Sequence, residues 1–190
     1  MRKNFSHDDM AKVILVGGSI ATGKSTLSKK IAEQLGVPRV AMDDLKELHF
    51  DYVGYRDRKW SSQIGTAVFP VFQSLVEMFL ERDKTVVAEA VFSWWPDDAD
   101  WINSLEKKYG AEICLIWLIA DPRVARERFI ARGESGYHPG HCHTTQEILE
   151  EFDQKYFNKA LLPLPISGKT KIVDTTDFAT VDHDEILKWI

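Results

Sequence analysis

The chain has 190 residues, 44% of them hydrophobic and 28% charged, with a formal net charge of −5 and a sequence pI near 5.7. That length allows one complete core, and the acidic balance argues against non-specific nucleic-acid binding, which needs clustered Lys and Arg. Two cysteines, Cys114 and Cys142, give no disulfide framework; the N-terminal MRKNFSHDDMAK lacks the apolar segment of a signal peptide, and the apolar runs are too short to span a bilayer. The expected setting is therefore cytoplasmic, without a membrane partner.

Residues 12–16 (KVILV) read as a buried strand, followed by Gly17 and Gly18. In 24–35, Leu27, Ile31 and Leu35 recur at helical spacing, and Gly36 with Pro38 ends that helix. A short strand at 39–42 leads into a helix over 44–50. A long amphipathic stretch at 61–82 follows, which Pro70 either starts or kinks. Residues 85–90 (TVVAEA) and 111–119 (AEICLIWLI) are the next strands, and Cys114 reads as a core residue of the second. Pro122 opens a helix over 122–132 that Gly133 closes. Thr144 and Glu147 fit a capping box for a helix over 144–156. A strand at 171–173 and a closing helix at 184–190 complete the alternation. Near-continuous Val/Ile/Leu strands alternating with helices predict an α/β fold, a parallel sheet with helices on both faces. Ligands bind such sheets beyond the carboxyl ends of the strands, which points to 17–26, Asp43 and Asp44, 89–95 and 120–123.

Gly18-Ser19-Ile20-Ala21-Thr22-Gly23-Lys24-Ser25 matches G-x-x-x-x-G-K-[ST] at every fixed position. It follows an apolar strand and opens an amphipathic helix, the context that gives this pattern its meaning as a P-loop. The glycines let backbone N–H groups converge on an anion, and the helix N-terminus adds partial positive charge. Lys24 is placed to meet the β- and γ-phosphates of a nucleoside triphosphate, Ser25 to ligate Mg²⁺, and Thr26 to add an α-phosphate contact.

With this motif in place, the chain resembles the small P-loop kinases of the nucleoside-monophosphate-kinase-like group. Within that group it is most similar to the AAA-type ATPase/kinase branch of chloramphenicol phosphotransferase-like, gluconate kinase-like and zeta-toxin-like proteins. VAMDDL, VVAEAVF, IWLIADPRVARERFIAR and KIVDTTD carry the resemblance in element order. It implies a three-layer P-loop NTPase fold with a five-stranded sheet in the order 2-3-1-4-5, ATP with Mg²⁺ as the phosphoryl donor, and a mobile lid. It also implies that an acidic residue after the second strand accepts the proton of the attacking hydroxyl or holds Mg²⁺. The guanine-recognition NKxD is absent, and Asp121 before Pro122 fits a helix start better than a Walker B carboxylate.

Asp43 and Asp44 are adjacent, so one faces the phosphates; Asp43, first after the strand, is favoured for catalysis and acceptor binding, with Asp44 left to cap the helix. Glu89 interrupts an apolar strand and is read either as a substrate or Mg²⁺-water contact, or as half of a salt bridge. Arg123, Arg126, Arg128 and Arg132 share one helix. Arg128 and Arg132 lie on one face and are the candidates to neutralise charge on the transferred phosphoryl group. Phe92, Trp94, Trp95 and Trp101 are either core aromatics or a wall of the acceptor pocket, for which Trp94 is the chosen residue, and 52–60 could close its other side. Residues 133–143 (GESGYHPGHCH) are the expected lid; the short spacing of His138, His141, Cys142 and His143 argues against a zinc site. The whole, 1–190, is expected to be one kinase-like domain that transfers the γ-phosphate of MgATP to a hydroxyl of a small-molecule acceptor. The alternatives are a regulatory ATPase without such an acceptor, and a nucleic-acid 5′-end kinase.

Overall fold

The structure is a computed structural model that describes residues 10–92, 97–143, 145–157 and 162–190. Its centre is a parallel sheet of β1 (Lys12–Gly18), β2 (Arg39–Ala41), β3 (Val86–Glu89), β4 (Glu112–Ile119) and β5 (Lys169–Asp174) in the order β2-β3-β1-β4-β5. This is the order that the resemblance implies. Every strand pair is parallel, with Val16 beside Glu89 and Gly18 beside Leu118. The functional end of the sheet is therefore the end where β1 and β3 stop together.

Among the described residues, helices α1 (Lys24–Leu35), α2 (Met42–Val53), α3 (Arg58–Leu80), α4 (Asp98–Tyr109), α5 (Pro122–Glu134), α6 (Gln146–Phe152) and α7 (His183–Trp189) accompany the strands. Period-two alternation in β1 divides the core. Val13 and Leu15 join Phe72, Val76, Leu80 and Leu105 on one face, and Ile14 and Val16 join Leu27, Ile31 and Ile186 on the other. A third apolar cluster, Ala21, Ala125, Phe129, Ile148 and Phe152, ties the P-loop to α5 and α6.

Several boundaries differ from the sequence reading, each for a local reason. Helix α2 begins at Met42, not at residue 44, so Asp43 and Asp44 both lie in its first turn. Helix α3 begins at Arg58 because Asp57 caps it, accepting from the Trp60 amide at 2.8 Å, and it runs unbroken through the exposed Pro70. At 23 residues it is long and apolar enough to cross a membrane, contrary to the reading of the apolar runs; Val68, Phe72, Val76 and Leu80 spend its apolar stripe on the sheet. Helix α5 runs past Gly133 to Glu134. Thr145, not Thr144, caps α6, accepting from the Ile148 amide, and the helix ends at Phe152 before a π-helical turn over 153–157. Helix α4 is absent from the sequence reading. Trp94, Trp95 and Thr144 lie outside the described residues.

Two glycines separate backbone conformation from crowding. Gly18 has φ +121°, and a Cβ there would lie 2.1 Å from the Leu118 carbonyl oxygen; Gly36 has φ +64° with open space around it. Gly18→Ala should lower unfolding free energy by roughly 3 kcal/mol or more, strain and clash together. Gly36→Ala should cost only about 1–2 kcal/mol, the left-handed penalty alone. Urea denaturation of both variants checks the contrast.

Candidate functional site

The strand-to-helix turn after β1 folds as an anion cradle. Gly23 at φ +86° and Ala21 at φ +59° curl the backbone, and the Thr22 hydroxyl donates to the Ser19 carbonyl at 2.8 Å. Lys24 reaches back and donates to the same carbonyl at 2.6 Å. Burial pushes its pKa down to about 8, against the pull of Glu89 and Asp43. Thr26 is exposed.

Glu89 ends β3 beside this loop with only 4% of its surface exposed. Its two oxygens accept from the Ser25 and Ser28 hydroxyls, both at 2.8 Å, and from Arg39 Nη2 at 2.5 Å. Arg39 also donates to Ser28 at 2.8 Å and to Asp44 at 2.6 Å. The salt bridge that is one reading of Glu89 is present, and the same carboxylate accepts from the hydroxyl of Ser25, the last residue of the P-loop motif. A serine hydroxyl and a carboxylate side by side are hard oxygen donors, which suits Mg²⁺.

The two adjacent aspartates diverge. Asp44 turns outward to Arg39. Asp43 lines a cavity of about 730 Å³ that opens from the P-loop, and the Tyr137 hydroxyl donates to its Oδ2 at 3.3 Å. Burial works against the charged form of Asp43, but His141, Lys46, Lys24 and Arg132 outweigh it and hold its pKa below the usual value. Lys24, Lys46, Arg58, Lys59, Arg132 and Lys155 line the cavity against the carboxylates Asp43, Glu89, Glu147 and Glu151. The wall is therefore richer in cations than in anions, in a chain whose net charge is −5.

The arginines of α5 separate. Arg132 lines the cavity and sits over the Tyr137 ring, 5.0 Å from its centroid. Arg128 has other partners, donating to the Thr175 and Thr176 carbonyls at 2.8 Å each and stacking 3.8 Å over Phe178. Phe178 in turn lies against Gly23, where a Cβ would meet its ring at 2.6 Å. Arg128 thus reaches the P-loop through Phe178 and is not in the cavity wall. Arg126 pairs with Asp153 at 2.6 Å.

The segment expected as a lid is docked on α2. The Phe50 ring stacks on His138 at 5.4 Å and meets His141 edge-on at 5.5 Å. His138 and His141 contact Asp51 and Glu47, each at 3.1 Å. Gly140 allows this contact: a Cβ there would lie 2.3 Å from the Phe50 ring. Cys142 is buried, and among the described residues no group of three or more His, Cys, Asp or Glu is arranged to hold a metal ion.

The structure brings together Lys24, Ser25, Asp43, Glu89 and Arg132. Phe92 is a core residue, fully buried beside Phe72, and Trp101 packs there too, donating to Glu77 at 2.9 Å. Trp94 lies outside the described residues. The sequence reading missed Ser28, Arg39 and Lys46 as site residues. Ser28 was findable, since it lies one helical turn after Ser25; Lys46 bears the same relation to Asp43 once the helix starts at Met42.

Comparison with known proteins gives the same architecture. A protein-family model described as AAA domain matches residues 13–156. A protein from Chloroflexus aurantiacus J-10-fl, assigned provisionally as a kinase, is 29% identical over 95% of this chain and 96% of its own, with a TM-score of 0.84. A gluconokinase from Sinorhizobium meliloti 1021 is 19% identical over 94% and 89% of the two chains, with a TM-score of 0.52. A component of the PezAT toxin–antitoxin system of Streptococcus pneumoniae is 15% identical over 90% and 71%, with a TM-score of 0.58. The last two similarities show the fold alone. No curated protein matches the sequence.

The lowered pKa of Lys24 gives a signed prediction. In the free protein the ammonium loses its proton as pH rises through about 8. Triphosphate oxygens favour the charged form and raise that pKa, so nucleotide binding near pH 8.5 should take up protons. Calorimetry of MgATP binding in two buffers of different ionisation enthalpy should show net uptake at pH 8.5 and little at pH 6.5.

Proposed function

The chain belongs to this AAA-domain family of P-loop proteins, and from that premise we propose that it is a kinase that transfers the γ-phosphate of MgATP to a hydroxyl of a small molecule. The observation that carries the reading is the position of Asp43, a carboxylate held in its charged form in the wall of the same cavity as Lys24 and Ser25. A protein that only binds or slowly hydrolyses nucleotide needs no walled space beyond the P-loop. A phosphotransferase needs a place for the acceptor, and a cover that keeps water from the γ-phosphate.

In this reading 18–26 wrap the phosphates, with Lys24 meeting the β- and γ-oxygens. Ser25 would hold Mg²⁺, and Glu89 orients the Ser25 hydroxyl; the ion supplies charge neutralisation on the donor phosphates. Asp43 orients the acceptor hydroxyl and takes its proton as the bond to phosphorus forms. Arg132 meets the charge that develops on the transferred group. Arg128 supports the loop beneath the phosphates through Phe178. Residues 133–143 form the cover, seated on α2 by Phe50, and the chain acts as one domain. Two cysteines, both buried and free, suit a reducing compartment such as the cytosol.

The reading is tested by screening acceptors for stimulated release of ADP; a rate that no sugar, nucleoside or antibiotic hydroxyl raises would overturn it. Within it, Asp43→Asn should lower kcat by about 10²- to 10⁴-fold and leave the Kd for ATP within a few-fold. An unchanged kcat would remove Asp43 from the chemistry.

A further inference from the structure

Lys46 is a buried cation of the cavity wall that the proposed chemistry does not use. It is 7% exposed and lines the space next to Asp43. Two other cations of the wall have carboxylate partners: Arg58 is bidentate on Glu151, at 2.6 and 2.7 Å, and Lys155 meets the same carboxylate at 2.7 Å. Among the described residues Lys46 forms no ion pair within 4.0 Å; its ammonium reaches the Ser61 hydroxyl at 3.4 Å and lies 5.6 Å from the centre of the Phe50 ring. Its side chain lies along α3 at Gly65, in ordinary van der Waals contact with the position a Cβ would take there. An ammonium taken out of water without a carboxylate costs several kcal/mol. Burial accordingly depresses its pKa, with Asp43 opposing.

A second orphan lies in the same wall. The His143 ring packs on Phe129 at 4.3 Å, and its buried Nδ1 has no hydrogen-bond partner among the described residues. Burial pushes its pKa down to about 3, with His141 and Arg132 acting in the same sense, so the ring stays neutral at ordinary pH. One buried cation with no carboxylate in ion-pair contact and one neutral ring nitrogen with no hydrogen-bond partner among the described residues line a cavity that already has an excess of positive charge.

We infer that the phosphoryl acceptor carries an anionic group, a carboxylate or a phosphate, that docks on Lys46, with a further polar group against His143. The inference rests on the kinase reading above and names its substrate class. Lys46 follows Asp43 by three residues on α2, which puts their Cβ atoms about 5–6 Å apart. Both side chains line the same cavity and act on each other electrostatically, so the reacting hydroxyl at Asp43 and the anion at Lys46 belong to one compact hydroxylated acid or phosphate ester. The anion completes the ion pair that the protein leaves open, and a neutral analogue leaves the ammonium buried and bare. Discrimination then rests mainly on the cost of leaving that ammonium unpaired.

The test uses the full-length protein labelled with [ε-¹³C]lysine and saturated with Mg²⁺ and AMPPNP, so that the γ-phosphate position is filled. Glycolate, inorganic phosphate and ethylene glycol are titrated in turn, and the Lys46 signal is identified by its loss in Lys46→Met, or in Lys46→Gln should that variant fold better. The Lys46 resonance should shift saturably with glycolate or phosphate and stay still with ethylene glycol; the tighter anion assigns the group. In Lys46→Met, binding of that anion should weaken by about tenfold or more, the worth of one charge-assisted hydrogen bond. A Lys46 signal that ignores both anions, or moves equally with ethylene glycol, overturns the inference while the kinase reading stands. Failure of AMPPNP to bind at all overturns the kinase reading itself.

Discussion

A buried carboxylate at the end of the central strand sets the arrangement of this site. Glu89 stands where β3 stops beside β1, out of water, and it is tolerated because Ser25, Ser28 and Arg39 all donate to it. Those three donors come from the first two turns of α1 and from β2, so one side chain fixes the P-loop helix against the sheet. Arg39 extends the constraint to Asp44 and hence to the first turn of α2. With Asp44 held outward, Asp43 is turned into the cavity.

The P-loop is held from its other side as well. Arg128 clamps the Thr175–Thr176 turn after β5 and presses Phe178 on Gly23. Across the cavity, Phe50 seats the segment around Gly140, which brings Tyr137 to Asp43 and Arg132 to the wall. Two arginines one helical turn apart thus have different partners, Arg128 the Thr175–Thr176 turn and Phe178, Arg132 the cavity and the Tyr137 ring.

Much of this was legible in the sequence where the signal is local. The P-loop needs only its own residues and a strand before it, and the five apolar runs mark the five strands of the sheet. Helix α4 is hard to read because its inward face has few apolar residues, with Ile102 and Leu105 the buried ones, and because the aromatic run before it reads equally well as a pocket wall. The start of α2 matters more. Beginning the helix at residue 44 leaves Asp43 outside it and hides the one-turn relation that places Lys46 beside it. Arg128 and Arg132 share a helix face, as their spacing requires, but that spacing fixes only Cβ positions; long side chains leave one face for different partners. The pairing of Glu89 with Ser25, 64 residues away, is a tertiary fact that no local pattern encodes.

On the proposed function, Glu89 prepares Ser25 for the metal that accompanies the nucleotide. The direct measurement of this role is the affinity for ATP with Mg²⁺ and with EDTA, in the natural protein and in Glu89→Gln. Mg²⁺ should tighten ATP binding in the natural protein, and Glu89→Gln should lose most of this effect while its metal-free affinity is nearly unchanged. An undiminished effect of Mg²⁺ in Glu89→Gln would contradict that role.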